Sequence, residues 1–380
     1  MAMAQRLLES AIMESLEQVL VDTIIPEAGE IDRLGRLPRR SLSALADAGF
    51  LGMLSEPRLG GMGAGYRMAV QVIEAIARHC ASTALLLTTH YAAAIAIEHH
   101  GSREFRRVVA EGQHLLTLAL NDLGTTNPVW SALSSVTTVG TEVWLRGVKQ
   151  HVVGAGIVDS YVWTARSSQD DGTTLWLVPR RDDQIEIMAT EYDTGLRGHG
   201  GGTVAADGVR LDHRARLGED GKGFALLADL VLPALDLFLA AIQVGLMESV
   251  TRRSASHLTG AFGVYQGKAD DGHELRASLG KMRARTEMVR SHLHDTAGAM
   301  DRRLTSGAAR GTFALKALAT EMAQEVTDLG MKIGQETLDR PGAIERCFRD
   351  ARSNLVLTFS PDALYEYVGR AECGHLLMRG

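Results

Sequence analysis

An aspartate lies inside a long apolar run of this sequence. Residues 230–247 are LVLPALDLFLAAIQVGLM, and Asp236 is the one acidic residue in this run. Removing an ionised carboxylate from water is costly, so a residue in this position is paired, protonated or functional. Asp236 is therefore either a catalytic acid or base, or a core acid that is hydrogen-bonded to nearby backbone or to an arginine such as Arg252.

The other residue types that often carry chemistry are sparse. The cysteines Cys80, Cys347 and Cys373 are too few and too far apart for a disulfide framework. The sequence has no CxxC or HxxxH pair with the spacing of metal ligands. We therefore expect a reduced protein that binds no metal ion.

The charge pattern argues against two classes of partner. The 380 residues have a formal net charge of −6, and the lysines and arginines form no basic stripe. Nucleic acids and membrane surfaces need such a stripe, so we expect neither as a partner. Acidic residues interrupt the apolar N-terminal stretch, unlike a signal peptide, and Pro233, Asp236 and Gln243 argue against a transmembrane helix at 230–247. The expected location is the cytoplasm.

Hydrophobic periodicity divides the chain into three parts. Residues 1–113 show helical spacing, interrupted by a glycine-rich loop at 60–65. Residues 114–220 contain short runs rich in Val, Thr and Trp between charged turns, which predicts an antiparallel, barrel-like β-domain. Residues 221–380 return to long helical stripes, which pack most simply as a four-helix bundle. The predicted fold class is α+β.

Five motifs in this order resemble those of the acyl-CoA dehydrogenase superfamily. They are LGGMGAGY at 59–66, LRGVKQHVVGAGIVDSYVWTAR at 145–166, TGLRGHGGG through GEDGKGF at 194–224, GAFGVYQ at 260–266 and ERCFRDARS at 345–353. The resemblance spans most of the chain. It implies FAD, with FMN as the alternative, an acyl thioester substrate linked to CoA or a carrier protein, and a homodimer or homotetramer.

The resemblance also implies positions for the cofactor. The backbone of Leu120, Asn121 and Asp122 and the turn from His151 to Val153 would line the flavin ring. Phe262 would come from the neighbouring subunit, and Gly334 is the one glycine that remains of an adenosine-binding Q-x-x-GG motif. Arg197 is either a substrate-loop residue or a donor that stabilises a turn.

The chain departs from the family where the catalytic glutamate is expected. In the common pattern, the glutamate follows the RDA segment by a few residues, and that position holds Thr358. A second branch places the glutamate near residue 235, where this chain has Leu235 beside Asp236. The FAD-gripping arginine before the FG turn is replaced by Thr259. Arg252, Arg253 or Lys268 could hold the diphosphate instead, the cofactor could be FMN, or no flavin binds tightly.

Other segments resemble the flavin-dependent monooxygenases of the same superfamily. These segments are Lys149 followed by Gly154 and Ala155, RDARSN at 349–354 and SPDALYEY at 360–367. Oxygen chemistry needs a shielded site and a hydrogen-bond donor rather than a strong base. His151 would then either donate a hydrogen bond beside the flavin or stack on the ring.

These observations predict a flavin-dependent oxidoreductase that acts on an acyl thioester and uses O2. The first alternative is an α,β-dehydrogenase whose base is Asp236. The second is a flavin-free homologue that serves as a binding or scaffold subunit.

Overall fold

A computed structural model describes residues 2–125, 132–140, 142–168, 172–180, 183–190, 193–264, 272–302, 308–334 and 342–375. The first part of the chain is helical. Its helices are α1 (Ala2–Val19), α2 (Ile25–Leu34), α3 (Arg39–Asp47), α4 (Tyr66–Ala77), α5 (Ala81–His100) and α6 (Arg103–Ala110). Helix α5 is buried from Ala81 to Ile97, because it passes between the other helices and the β-domain.

The described residues in the middle of the chain form two four-stranded sheets. The strands are β1 (Leu116–Ala119), β2 (Ser135–Val139), β3 (Glu142–Val152), β4 (Ser160–Arg166), β5 (Thr173–Pro179), β6 (Ile185–Ala189), β7 (Gly202–Asp212) and β8 (Arg216–Leu217). One sheet has the strand order β1-β4-β5-β8, and the other has the order β2-β3-β7-β6. Trp163 and Tyr161 of β4 are fully buried between this domain's layers.

One strand pair corrects the predicted antiparallel arrangement. Strand β1 pairs with β4 in parallel, with Leu116 opposite Ser160. The chain leaves β1 for the other sheet, forms β2 and β3 there, and then returns beside β1 in the same direction. Such a crossover produces a parallel pair, whereas the hairpin-linked strands elsewhere are antiparallel. The three-part α+β class itself is confirmed.

The last part of the chain is a helical bundle. It contains the short helix α7 (Gly223–Leu226) and the long helices α8 (Leu232–Val264), α9 (Gly272–Asp301) and α10 (Ala308–Gly334), followed by α11 (Ala343–Ser353) and α12 (Pro361–Glu372). Met282, Val289, Leu293 and Ala297 form an apolar stripe along α9 and are fully buried. The predicted domain boundaries after residues 113 and 220 remain predictions.

The apolar run at 230–247 lies at the centre of the molecule. Helix α8 packs against α9 and α10 of the bundle and also against α4 and α5 of the first part. By length and composition, the helical segment 223–260 could span a membrane, but 78% of its most apolar window is buried inside the protein. The segment is therefore a core helix that joins the first and last parts of the fold.

Candidate active site

A cavity of about 720 Å³ opens where the three parts of the fold meet. Its volume lies within the usual range for small-molecule sites. Helix α5 contributes Leu85 and Thr89, and helix α8 contributes Leu232, Leu235 and Leu239. The other walls are the ends of β1 and β3, the loop between β6 and β7, and the segment that follows α11.

Most of the residues predicted to line a flavin ring lie at this cavity. Leu120, Asn121, His151 and Val153 are all on its wall. The amide of Gln150 donates to the Asn121 carbonyl at 2.8 Å, which joins the end of β1 to β3. His151 has a φ of 56°, a backbone conformation that is uncommon outside glycine and recurs at functional sites.

Asp122, whose backbone is predicted to lie beside the flavin ring, is next to Asn121 but is not on the cavity wall. Its carboxylate is buried and pairs with Lys149, with 2.6 Å between Oδ2 and Nζ. It also accepts bonds from the backbone amides of Leu133 and Ser134 and from the Ser134 hydroxyl. Burial lowers the pKa of Lys149 to about 8, although Asp122 acts to raise it. Asp122 therefore organises the β-domain behind the cavity wall.

Asp236 is fully buried and lies one layer behind the cavity, whose wall here is Leu235 and Thr358. The hydroxyl of Thr358 donates to Asp236 Oδ1 at 3.0 Å. The other oxygen, Oδ2, has no hydrogen-bond partner among the described residues. Burial raises the pKa of Asp236 to about 6, against the lowering effects of the Lys316 charge and the Thr358 hydrogen bond.

Arg252, one of the candidate partners of Asp236, does not pair with it. The Nε atom of Arg252 pairs with Glu248 one turn earlier on α8. Side chains four residues apart on a helix are neighbours, whereas Asp236 is sixteen positions and several turns away from Arg252. The charged group that acts on Asp236 is Lys316 of α10.

Thr358, at the family's glutamate position, is held in an unusual conformation. Its φ is 62°, which is strained for a β-branched residue and costs on the order of 1–3 kcal/mol. Lys316 Nζ donates to the carbonyls of Leu357, at 2.9 Å, and Phe359, on either side of Thr358. Spacing from the RDA segment located this position, but it did not identify Thr358 as a site residue.

The loop between β6 and β7 adds a histidine that the sequence analysis did not select. His199 is on the cavity wall, and its Nδ1 lies 2.7 Å from the Leu196 carbonyl and 3.6 Å from Asp193 Oδ2. Because a carbonyl only accepts, Nδ1 carries the proton and Nε2 is left for a ligand. Arg197, the predicted substrate residue, is not on the cavity wall.

The glycines around His199 pack closely against their neighbours. A Cβ atom on Gly201 would lie 2.3 Å from His199 Nε2. One on Gly198 would lie 2.2 Å from Ile31 Cγ2, and one on Gly200 would lie 2.2 Å from Leu37 Cδ2. The RGHGGG segment is therefore the sequence feature that could have indicated His199 as a site residue, because only glycines let the loop and the imidazole pack this tightly.

The remaining predicted cofactor residues lie away from the cavity. Gly334 is the last residue of α10, and Phe262 lies near the end of α8, with its side chain outside the described part of the structure. Thr259, which replaces the expected arginine, donates to the Ala255 carbonyl of its own helix. Arg253 Nε bonds to the Ser249 hydroxyl at 3.3 Å, and Lys268 lies outside the described residues.

Family comparisons agree with this three-part arrangement. Residues 8–111 match the N-terminal domain of acyl-CoA dehydrogenases, and residues 221–358 match their C-terminal domain. The cyclohexane-1-carbonyl-CoA dehydrogenase of Geobacter metallireducens is 26% identical over 354 residues, which cover 90% of this chain and 91% of that protein. The cyclohex-1-ene-1-carbonyl-CoA dehydrogenase of the same organism is 24% identical, covering 94% and 96% of the two chains.

Solved structures share the fold over nearly the whole length. Butyryl-CoA dehydrogenase from Megasphaera elsdenii superposes with a TM-score of 0.88 at 18% identity, covering 96% of this chain and 98% of that one. The dibenzothiophene monooxygenase of Paenibacillus sp. A11-2 gives 0.81 at 17% identity, covering 97% of each chain. Both parts of the family signature and the complete fold are present, so the chain belongs to the acyl-CoA dehydrogenase superfamily of oxidoreductases.

Proposed function

We propose that this protein is a flavin-dependent oxidoreductase that acts on an acyl thioester, linked to CoA or to a carrier protein, and that uses O2. The observation that carries this proposal is the side chain at the usual base position. Thr358 faces the cavity there, and its hydroxyl proton is directed away from the cavity to Asp236. The one carboxylate among the described wall residues is Asp193, which lies on the loop beside His199.

The cavity fits a flavin ring, which is flat and apolar with a polar edge. Leu118, Leu120 and Val153 provide an apolar wall from the β-domain. Asn121 and Gln150 place amide groups at one side of this wall, where the polar edge of the ring needs donors and acceptors. A bound flavin would supply hydride acceptance and, once reduced, reaction with O2. FAD is the first choice and FMN the alternative.

The walls of the cavity support a shielded reaction. Leu232, Leu235 and Leu239 form one apolar face of α8 opposite the β-domain, so water would be excluded from a ligand between them. His199, with Nδ1–H held by Leu196, offers Nε2 as a hydrogen-bond acceptor when neutral and as a donor when protonated. His151 offers a second imidazole on the same wall.

The relatives support the substrate class. Curated relatives over nearly full length are dehydrogenases of cyclohexane-1-carbonyl-CoA and cyclohex-1-ene-1-carbonyl-CoA. A structure of the Paenibacillus monooxygenase contains FMN and indole. An acyl-CoA ligand and either flavin are therefore within the range of this superfamily. We further propose a homodimer or homotetramer in which Phe262 approaches the neighbouring subunit's flavin.

The main rival is an acyl-CoA dehydrogenase in which Asp236 takes the α-proton. Because Asp236 is buried behind Thr358, the proton would have to pass through the Thr358 hydroxyl. The enzyme should be mixed with acyl-CoA thioesters, once in air with NADH and a flavin reductase to supply reduced flavin, and once without O2 with oxidised flavin and an artificial electron acceptor. We expect an oxygenated product in air and no turnover without O2. Anaerobic turnover that Asp236→Asn abolishes would overturn the use of O2.

A flavin-free binding subunit is the second rival. Purified protein is denatured, and the released cofactor is identified by its absorbance spectrum and mass. We expect FAD or FMN in an amount close to one per chain. A colourless protein that takes up neither flavin on reconstitution would contradict the whole proposal.

A further inference from the structure

The segment after α11 is held from two sides by buried ionisable groups. Lys316 of α10 has 1% exposure and donates to the carbonyls before and after Thr358. Asp236 of α8 has 0% exposure and accepts from the Thr358 hydroxyl. The two helices thus fix both the backbone and the side chain of one residue on the cavity wall.

Burying these two groups is unfavourable, because each loses hydration when ionised. Burial lowers the pKa of Lys316 to about 8 and raises that of Asp236 to about 6. Asp236 Oδ2 is buried and has no partner within the described part of the chain. A purely structural contact in this segment could be made without burying two ionisable groups. A structural role alone therefore accounts poorly for Asp236 and Lys316, which both hold Thr358.

The hydrogen-bond direction determines what Thr358 presents to a ligand. A hydroxyl has one proton and two acceptor lone pairs. The proton is committed to Asp236 Oδ1 at 3.0 Å, so the group available to the cavity is an acceptor. A ligand atom next to Thr358 Oγ1 therefore needs a proton of its own, and a saturated acyl chain has no such donor.

We propose that Thr358 is a specificity-determining residue whose Oγ1 accepts a hydrogen bond from a hydroxyl or amine on the acyl portion of the thioester. Asp236 and Lys316 are positioning residues that keep Oγ1 in this role. The substrate class is then a hydroxyacyl or aminoacyl thioester. This inference rests on the proposed function in one respect, that the ligand is an acyl thioester.

The test compares ligands that differ by one hydroxyl. Short- to medium-chain acyl-CoA thioesters, each with and without a hydroxyl on C2 or C3, are titrated into the flavin-loaded protein at neutral pH, and binding is followed by calorimetry. We expect one hydroxylated series to bind about tenfold more tightly, the ratio that corresponds to about 1.4 kcal/mol. Thr358→Val should abolish this preference, whereas Thr358→Ser should retain it.

Thr320→Val is a matched control. The Thr320 hydroxyl is buried and, like that of Thr358, donates a hydrogen bond, here to the Lys316 carbonyl at 2.7 Å, but the residue is not on the cavity wall. We expect this variant to keep the tenfold preference. Asp236→Asn should reduce the preference, because an amide can donate to Thr358 and leave the hydroxyl proton free for the ligand.

The pH dependence of this binding preference distinguishes a positioning role of Asp236 from a role in packing alone. Among the described residues, the groups that act on Asp236 are Lys316 from α10 and Thr358 from the segment after α11. In the wild-type protein the preference should decline as pH falls through about 6 and Asp236 is protonated. In Asp236→Asn the ratio of affinities should not change over this range.

Two results overturn the inference in distinguishable ways. If the plain and hydroxylated thioesters bind equally, or if Thr358→Val keeps the preference, Thr358 does not select a donor and the proposed function is unaffected. If the flavin-loaded protein binds no acyl-CoA thioester at all, the proposed function fails and this inference fails with it.

Discussion

Asp236 links protonation to folding, because its carboxyl group is fully buried and forms one hydrogen bond among the described residues. Its pKa is raised from 3.8 to about 6 in the folded protein, so folding favours the protonated form. The stabilising contribution is fully present below about pH 4 and is lost as pH rises through about 6. A shift of about two units corresponds to about 3 kcal/mol.

Asp236→Asn should therefore gain stability relative to the wild type as pH rises from 4 to 7, by up to about 3 kcal/mol. Asparagine can still form a hydrogen bond with the Thr358 hydroxyl but carries no charge. Urea denaturation at several pH values measures the difference between the two proteins. If the free energies of unfolding of the two proteins change equally with pH over this range, Asp236 ionises equally in the folded and unfolded states.

The sequence identified Asp236 through its apolar surroundings but could not identify its partner. Thr358 is 122 positions away, and no local pattern connects the two residues. Thr358 was located by its spacing from RDA, yet a threonine after an apolar run carries no signal of a positive φ. Only the packing of α8, α10 and the segment after α11 brings them together.

At the scale of the element, the Lys149–Asp122 pair fixes strand β3 against the end of β1. Asp122→Ala leaves the Lys149 ammonium buried without its counter-charge and removes an acceptor for Leu133 and Ser134. Breaking a buried pair in this way costs about 3–5 kcal/mol. Lys149→Met should cost less, because Asp122 keeps its three other donors.

The measurement is the urea midpoint of each variant and of the double variant. We expect Asp122→Ala to be the least stable of the three, since the double variant no longer buries an unpaired charge. A larger loss for Lys149→Met than for Asp122→Ala would contradict this account. The motif resemblance located the backbone of Asp122, whereas the direction of its side chain depends on strand register and on Lys149.

At the scale of the whole molecule, the order of helices, sheet and helices follows from local periodicity, which changes from helical spacing to short strands and back. The parallel pairing of β1 with β4 could not be predicted in this way, because it depends on a crossover between sheets. The cavity could not be predicted in this way either, because its wall combines residues that are far apart in the sequence, the first being Leu85 and the last Phe359. Its composition depends on how the three parts pack.

Arg349 of α11 joins all three parts beside this cavity. Its guanidinium binds both Asp32 oxygens of α2, at 2.9 and 2.7 Å, and donates to the Thr194 carbonyl of the β6–β7 loop at 3.0 Å. Its neighbours Asp350 and Ser353 accept from the amides of Leu196 and Gly195. This cluster fixes the loop that carries His199.

Arg349→Met should reduce the free energy of unfolding by about 2–3 kcal/mol, a value typical of hydrogen bonds to charged groups. Arg349→Lys should not restore this stability, because lysine cannot bind Asp32 through two nitrogens. Hydrogen exchange of the Gly195 and Leu196 amides should accelerate in both variants. Arg310→Met is the control, since its pair with Glu372 is exposed and should contribute less than about 1 kcal/mol. If the loop amides keep their protection without Arg349, the position of this loop and of His199 does not depend on this arginine.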